Sequence, residues 1–377
     1  MPRRLAELAA SLVAALVSLP AAAFDIAAPP PGGSQRSTVI QHLGLVTVSV
    51  DYSSPRVTSP AGENRRGRIW GQLVPYGLHA LDFNDCTQCP WRAGANENTV
   101  FATSHDIKVQ GKPLPAGSYG LFMIAGKESF TVIFSSRSTA WGAYWYDPKE
   151  DVLRVETTPE PCEFHEALTY DFDTRFLDRA VLALKWDELR VPIEITVDDP
   201  LGLYATTIRD QLKGGAGFQW QNLQQAAQFC LDNRYKGPEC LDWAERAVRA
   251  PYIGQENLTT LTSLGLLQLE NGKPEAGATL ARAAGMATTP VDAFRVGRPL
   301  VARKMFAEAL RIFAAADARW PGAWPLDVGF LRAYAGLGDK AKALEAGKRA
   351  LAKAPDDSAR QFIDRLVKKV EAGEPLE

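Results

Sequence analysis

The sequence is short of the residues on which specialised chemistry depends. It has five cysteines in 377 residues, too few for a fold built on disulfides. Its four histidines leave little material for a metal site. No sign of charge dominates: the net charge is −2 at pH 7, so no global basic field draws the chain to nucleic acid or anionic lipid. The familiar catalytic signatures are missing as well. There is no G-x-S-x-G, no H-E-x-x-H and no phosphate-binding G-x-x-x-x-G-K-[ST]. Gly214 to Gly217 offers the glycines of a phosphate loop without its lysine, at a change of composition that reads as a linker. Ser104 and His105 are neighbours on an expected strand, where adjacent side chains point to opposite faces, so they are not expected to form a nucleophile–base pair. What is there, 46% hydrophobic and 23% charged residues, is the composition of a folded soluble protein.

The N-terminus reads as an export signal. Arg3 and Arg4 form a positive start, Leu12 to Leu19 an apolar stretch, and Ala21-Ala22-Ala23 a small-residue cleavage site before Phe24. The apolar run, about 17 residues, is at the low end for spanning a bilayer. Residues 1–23 are therefore expected to be removed, and a bacterial periplasm or outer surface is the expected compartment, with no transmembrane span left after cleavage. Residues 24–37, with Pro29, Pro30, Pro31, Gly32 and Gly33, read as a flexible leader.

From Val39 to Asp198 the hydrophobic period is two. In Leu45 to Tyr52, Val46, Val48, Val50 and Tyr52 face one way and Thr47, Ser49 and Asp51 the other. Comparable runs occupy Thr99–Ser104, Asp106–Val109, Ser118–Ile124, Phe130–Phe134, Val152–Thr157, Leu168–Phe172, Ala180–Trp186 and Val191–Val197. Such short strands broken by Gly, Pro and Asp predict an antiparallel β-sandwich or barrel over residues 38–198. Ala125-Gly126-Lys127 is the expected hairpin loop between two of them.

After an expected linker, 199–217, the period becomes helical over residues 218–377. Ala309, Phe313, Ala316 and Pro321 recur 34 residues later as Ala343, Gly347, Ala350 and Pro355, and upstream as Gly277, Ala281, Ala284 and Thr289. Gly338-Asp339 and Gly272-Lys273 fall at the expected turns. This pattern resembles the tetratricopeptide repeat, a helix–turn–helix unit whose small residues let two helices cross closely. An ordinary helical bundle is the alternative.

Several stretches of the β half resemble a bacterial family of exported proteins known as the domain of unknown function 2911. They are Gln41–Gly44, Tyr52–Pro55, Gly67–Gly77, Trp91–Thr99, Gly111–Tyr119, Trp141–Tyr144, Asp151–Arg154 and Leu184–Trp186, in the same order. The resemblance implies a compact β domain, often followed by helical repeats, and no established activity. Cys86 and Cys89 lie in a longer segment outside that shared pattern.

The candidate ligand-binding residues are Trp91, Arg92, Asn96 and Glu97, with Trp141 and Tyr144. Within six residues the Trp91–Glu97 segment carries a stacking face, a cation, an amide and a carboxylate, a set that suits a polar or anionic ligand. The same residues also suit a structural network, with Arg92 paired to Glu97 or Asp106 and Trp91 in the core. Trp141, Tyr144, Trp145 and Tyr146 offer rings to sugars or peptides, or to packing. Glu97 has no carboxylate partner at a glycosidase spacing. Cys86 and Cys89 are read as a short disulfide, with a redox dithiol or a metal site with His105 as alternatives. Cys230 and Cys240 are positioned to staple the first two repeat helices, and Cys162 is left over. The sequence thus points to binding or scaffolding rather than catalysis: a peptide or protein partner on the helical repeats, and a carbohydrate, polar small molecule or second partner on the β domain. No nucleic acid and no cofactor are expected. The runner-up is a metal or redox protein, or an enzyme, centred on Trp91–Glu97 and the Cys86/Cys89 loop.

Overall fold

The computed structural model describes residues 29–81 and 86–376. The expected signal peptide, the first five residues of the leader, and residues 82–85 lie outside the described residues. The chain divides into two units with the boundary after Pro200.

Among the described residues ten strands make the first unit: β1 (Gln35–Leu43), β2 (Val46–Ser54), β3 (Ala95–Thr103), β4 (Ile107–Val109), β5 (Lys112–Leu114), β6 (Gly117–Ile124), β7 (Phe130–Ser135), β8 (Asp151–Thr157), β9 (Glu160–Arg175) and β10 (Arg179–Thr196). They form a six-stranded sheet in the order β1-β2-β3-β6-β7-β8 and a four-stranded sheet in the order β5-β4-β10-β9. Every pairing is antiparallel, as a chain of short alternating strands requires. Val46, Val48 and Val50 are fully buried while Thr47, Ser49 and Asp51 are not, so β2 obeys the alternation read from its sequence. The sheets meet through β2 and β9, where the rings of Tyr52 and Tyr170 pack edge to face 4.9 Å apart. Backbone bonds tie the rims, from Leu168 N–H to the Pro55 carbonyl (2.9 Å) and from Val57 N–H to the Glu166 carbonyl (2.7 Å).

Three features of this unit differ from the sequence expectation. The runs Ala180–Trp186 and Val191–Val197 are one strand, β10, with a bulge at Asp187. Asp187 has φ 56° and accepts the Gly67 N–H at 2.8 Å, so the interruption that looks like a turn is a bulge that redirects the strand. The expected leader is structured at its end: residues 31–33 form a single 3-10 turn and 35–37 open β1. β1 is an edge strand paired only with β2, and Leu43 alone among its residues is buried. It therefore lacks the apolar alternation by which the other strands announce themselves.

The second unit is helical: α1 (Pro200–Gln211), α2 (Trp220–Asn233), α3 (Glu239–Arg249), α4 (Leu258–Glu270), α5 (Ala276–Gly285), α6 (Pro290–Ala302), α7 (Phe306–Asp317), α8 (Trp324–Gly336), α9 (Lys340–Ala352) and α10 (Asp357–Ala372). Helices pack as the pairs α2/α3, α4/α5, α6/α7 and α8/α9, with α10 closing on α9. First helices stack on first helices (α2 on α4, α6 on α8) and second on second (α5 on α7), which is the nearest-neighbour packing of a helical-repeat solenoid. The helix starts are encoded locally. Asn257 and Thr289 each close a capping box, and Asp339 and Asp356 cap α9 and α10.

The small-residue pattern has a direct structural cause. The buried ring of Phe313 in α7 lies against Gly297 of α6 and Gly329 of α8, where an added Cβ would come within 2.3 and 2.7 Å of it. Ala309 and Ala316 are buried on the same helix, as are Ala343, Gly347 and Ala350 on α9. In the upstream copy Ala284 is buried as expected, but Gly277 and Ala281 are exposed, and Ala276, Leu280 and Ala283 take the neighbouring buried positions. The expected linker is also folded, because α1 spans 200–211 and a 3-10 turn spans 215–218.

Candidate functional site

The Trp91–Asn96 segment is held from both sides. Trp91 exchanges two 2.8 Å backbone bonds with Met123 of β6, and Cys89 exchanges backbone bonds with His79. The chain then turns through Ala93 (φ 51°) and enters β3, where Asn96 also has positive φ (57°). This places Trp91, Arg92 and Asn96 together on the wall of a cleft of about 750 Å³. The 3-10 turn at 31–33 also lines it, and the Asn96 side-chain amide donates to the Pro31 carbonyl at 3.2 Å. Trp186 lines the cleft as well, its ring stacked on that of Trp91 with planes 18° apart and centroids at 6.2 Å. Trp70 packs edge-on against both, 5.6 Å from Trp91 and 5.9 Å from Trp186.

Arg92 does not pair with Glu97 or Asp106. Its Nη1 donates to the Asn96 carbonyl at 2.6 Å, and its guanidinium stands 5.2 Å from the centre of the Tyr144 ring. Gly142, with φ 62°, passes so close that a Cβ there would lie 2.5 Å from the guanidinium carbon, which explains a glycine between Trp141 and Tyr144. Glu97 points elsewhere: it accepts from Arg36 (3.2 Å) and Ser53 (3.0 Å) and does not line the cleft. Trp141 is not among the lining residues either. The aromatic run is dispersed, with Trp145 largely exposed and Tyr146 hydrogen-bonded to Asp151 at 2.7 Å. Burial and that carboxylate push the Tyr146 hydroxyl far up. Functional reading of the sequence missed Arg56, Arg65 and Trp186 of this cleft; Trp186 entered only as part of the shared Leu184–Trp186 stretch.

Cys86 and Cys89 are joined, as are Cys230 and Cys240, with Cα atoms 5.8 and 6.0 Å apart. Cys162 is free and partly buried, and burial raises its thiol pKa. Among the described residues no three His, Cys, Asp or Glu side chains gather in a metal-holding group. His105 bonds instead to Ser104, its Nδ1 2.8 Å from the hydroxyl. That contact corrects the expectation from strand geometry, because β3 ends at Thr103 and both residues lie in the bend that follows. Ser104 also accepts the Thr47 N–H at 2.8 Å, and neither residue lines the cleft.

The helical unit carries a groove of about 390 Å³ on its first-helix face, bordered by Asp232 of α2, Thr259 and Thr262 of α4, Arg295 of α6 and Arg303 just after it. Among the described residues no helix is long and apolar enough to cross a membrane.

An antiparallel β domain followed by stacked helix pairs is thus the class of protein this fold defines. Residues 34–195, which span the β domain, match the model of a family described as a protein of unknown function, DUF2911. No curated protein matches the chain. Similar solved structures include YrrB, a TPR protein with an unusual peptide-binding site, at 24% identity over 44% of this chain and 91% of that one, TM-score 0.28. MamA (41-end) from Desulfovibrio magneticus RS-1 is 18% identical over 42% of this chain and 95% of that one, TM-score 0.26.

Proposed function

We propose that the protein is an exported binding scaffold of the bacterial envelope. Its helical repeats take a peptide or protein partner, and the β-domain cleft takes a polar small molecule or carbohydrate through Trp91, Arg92 and Asn96. The supporting observation is the first-helix groove, where α2, α4 and α6 bring hydroxyl, carboxylate and guanidinium side chains around one channel. That mixture suits an extended peptide, whose backbone needs donors and acceptors together. Export rests on the N-terminal sequence pattern, and the two disulfides are in keeping with it.

Selection of a displayed peptide library on the full chain, followed by calorimetry, tests the repeat site. Thr259→Trp, which fills the groove from an exposed position, and Arg295→Glu should each abolish binding of selected peptides. Undiminished binding by both variants would remove the groove from the reading. Fractionation of cells carrying a C-terminally tagged chain tests export, since a cytoplasmic product of uncleaved length is incompatible with it.

A further inference from the structure

The β-domain cleft favours one sign of charge. Arg56, Arg65 and Arg92 line it, and no Asp or Glu is among its described lining residues. Arg56 is ion-paired to Glu166 at 3.2 Å. Arg65 donates to the carbonyls of Val57 (3.1 Å) and Arg56 (2.7 Å), and Arg92 to that of Asn96 (2.6 Å). A carbonyl satisfies a donor without cancelling its charge, so two guanidinium charges on the cleft wall have no ion-pair partner among the described residues.

A second observation is independent of charge. Trp186, only 1% exposed, lines the cleft, yet its indole N–H has no hydrogen-bond partner among the described residues. Buried donors are nearly always satisfied, and this one belongs to a residue that lines the cleft. Trp91, only partly buried, also lines the cleft. Ser34, Thr58 and Ser59 add hydroxyl groups at the rim.

We infer that this cleft binds an acidic saccharide. The oxyanion is held by Arg65 and Arg92, the apolar C–H face of the sugar rests on Trp91, and the Trp186 N–H donates to a ligand oxygen. A single accessible indole backed by hydroxyls and an amide suits a pyranose, which has one apolar face and a polar edge. The cleft volume is in the usual range for small-molecule sites. The inference rests on the cleft reading proposed above and adds the charge and class of the ligand.

The test is calorimetry and tryptophan fluorescence on the full mature chain with matched probes: trigalacturonate against galactotriose, glucuronate against glucose, sialyllactose against lactose, and uridine monophosphate. At least one acidic member should bind about tenfold or more tightly than its neutral partner, and added salt should weaken it. Arg92→Gln should cost about tenfold, with Arg92→Lys recovering part of the loss. Pro60→Glu, which places a carboxylate at the exposed cleft rim, should abolish acid binding without unfolding the chain even if Arg92→Gln perturbs the segment. Equal affinity for acidic and neutral members overturns the inference and leaves the cleft reading standing. Tightest binding of uridine monophosphate overturns the saccharide class. Silence from every probe, neutral ones included, overturns both.

Discussion

The hydroxyl of Tyr170 on β9 donates a 2.9 Å hydrogen bond to the carbonyl of Ala93, the residue that follows Arg92. Tyr170 is almost wholly buried, and burial pushes its hydroxyl pKa well up, so the group stays a donor across the working pH range. The bond ties the four-stranded sheet to the left-handed turn from which Arg92 projects. Tyr170→Phe should destabilise the protein by about 1–2 kcal/mol, read as a lower urea midpoint with an unchanged m-value. Thr99 also bonds the Ala93 carbonyl, at 3.1 Å, so the acceptor is not orphaned and a much larger loss is not expected.

Glu97 separates a catalytic centre from a binding one. It lies outside the cleft, between Arg36 and Ser53, with 43% of its side chain exposed. Glu97→Gln keeps the Ser53 contact and weakens the pair with Arg36, which retains Asp51. The expected cost is about 0.5 kcal/mol of stability, as for other exposed pairs, with ligand binding to the cleft unchanged. If calorimetry instead shows tenfold weaker binding at equal melting temperature, Glu97 belongs to the site and the runner-up enzyme reading returns.

What was legible in the sequence follows from which interactions are local. The β2 alternation and the small positions on α7 and α9 depend on neighbours within a few residues, and each is read correctly. β1 escaped because an edge strand with one buried residue carries no period. Asp187 misled because a bulge and a turn use the same residue types. Arg92 and Asn96 were found as a pair because they are four residues apart on one segment. Their structural partners Tyr144 and Pro31, like the Trp186 that stacks on Trp91, come from other parts of the chain and are brought to the segment only by the folding of distant stretches. The Ser104–His105 contact was ruled out on the assumption that both residues continue a strand, which stops one residue short of them.

The two disulfides should differ in energetic weight. Cys230–Cys240 links α2 to α3 across a separation of 10 residues, whereas Cys86–Cys89 closes a separation of three. Loop-closure entropy grows with the segment enclosed, so the Cys230→Ala/Cys240→Ala double variant should lose about 2–3 kcal/mol. The loss should appear in the helical signal at 222 nm during thermal unfolding. The Cys86→Ala/Cys89→Ala variant should lose less, and an inverted order would show that strain or denatured-state structure outweighs chain entropy here.

His79 predicts a particular pH response. Its backbone pairs with Cys89, its ring Nδ1 is buried without a partner among the described residues, and its pKa is lowered, chiefly by burial and then by the nearby Arg92 charge. The unfolded chain therefore binds this proton more readily than the folded one. Stability is at its full value above the unfolded histidine pKa, about 6.5, and falls as pH drops from there through the lower folded value. The melting temperature should decline between pH 7 and pH 5, and His79→Gln, which cannot take up the proton, should show a shallower decline over that interval. Parallel melting curves for the two proteins would mean that protonated His79 is accommodated without cost, with the Arg92 charge screened from it.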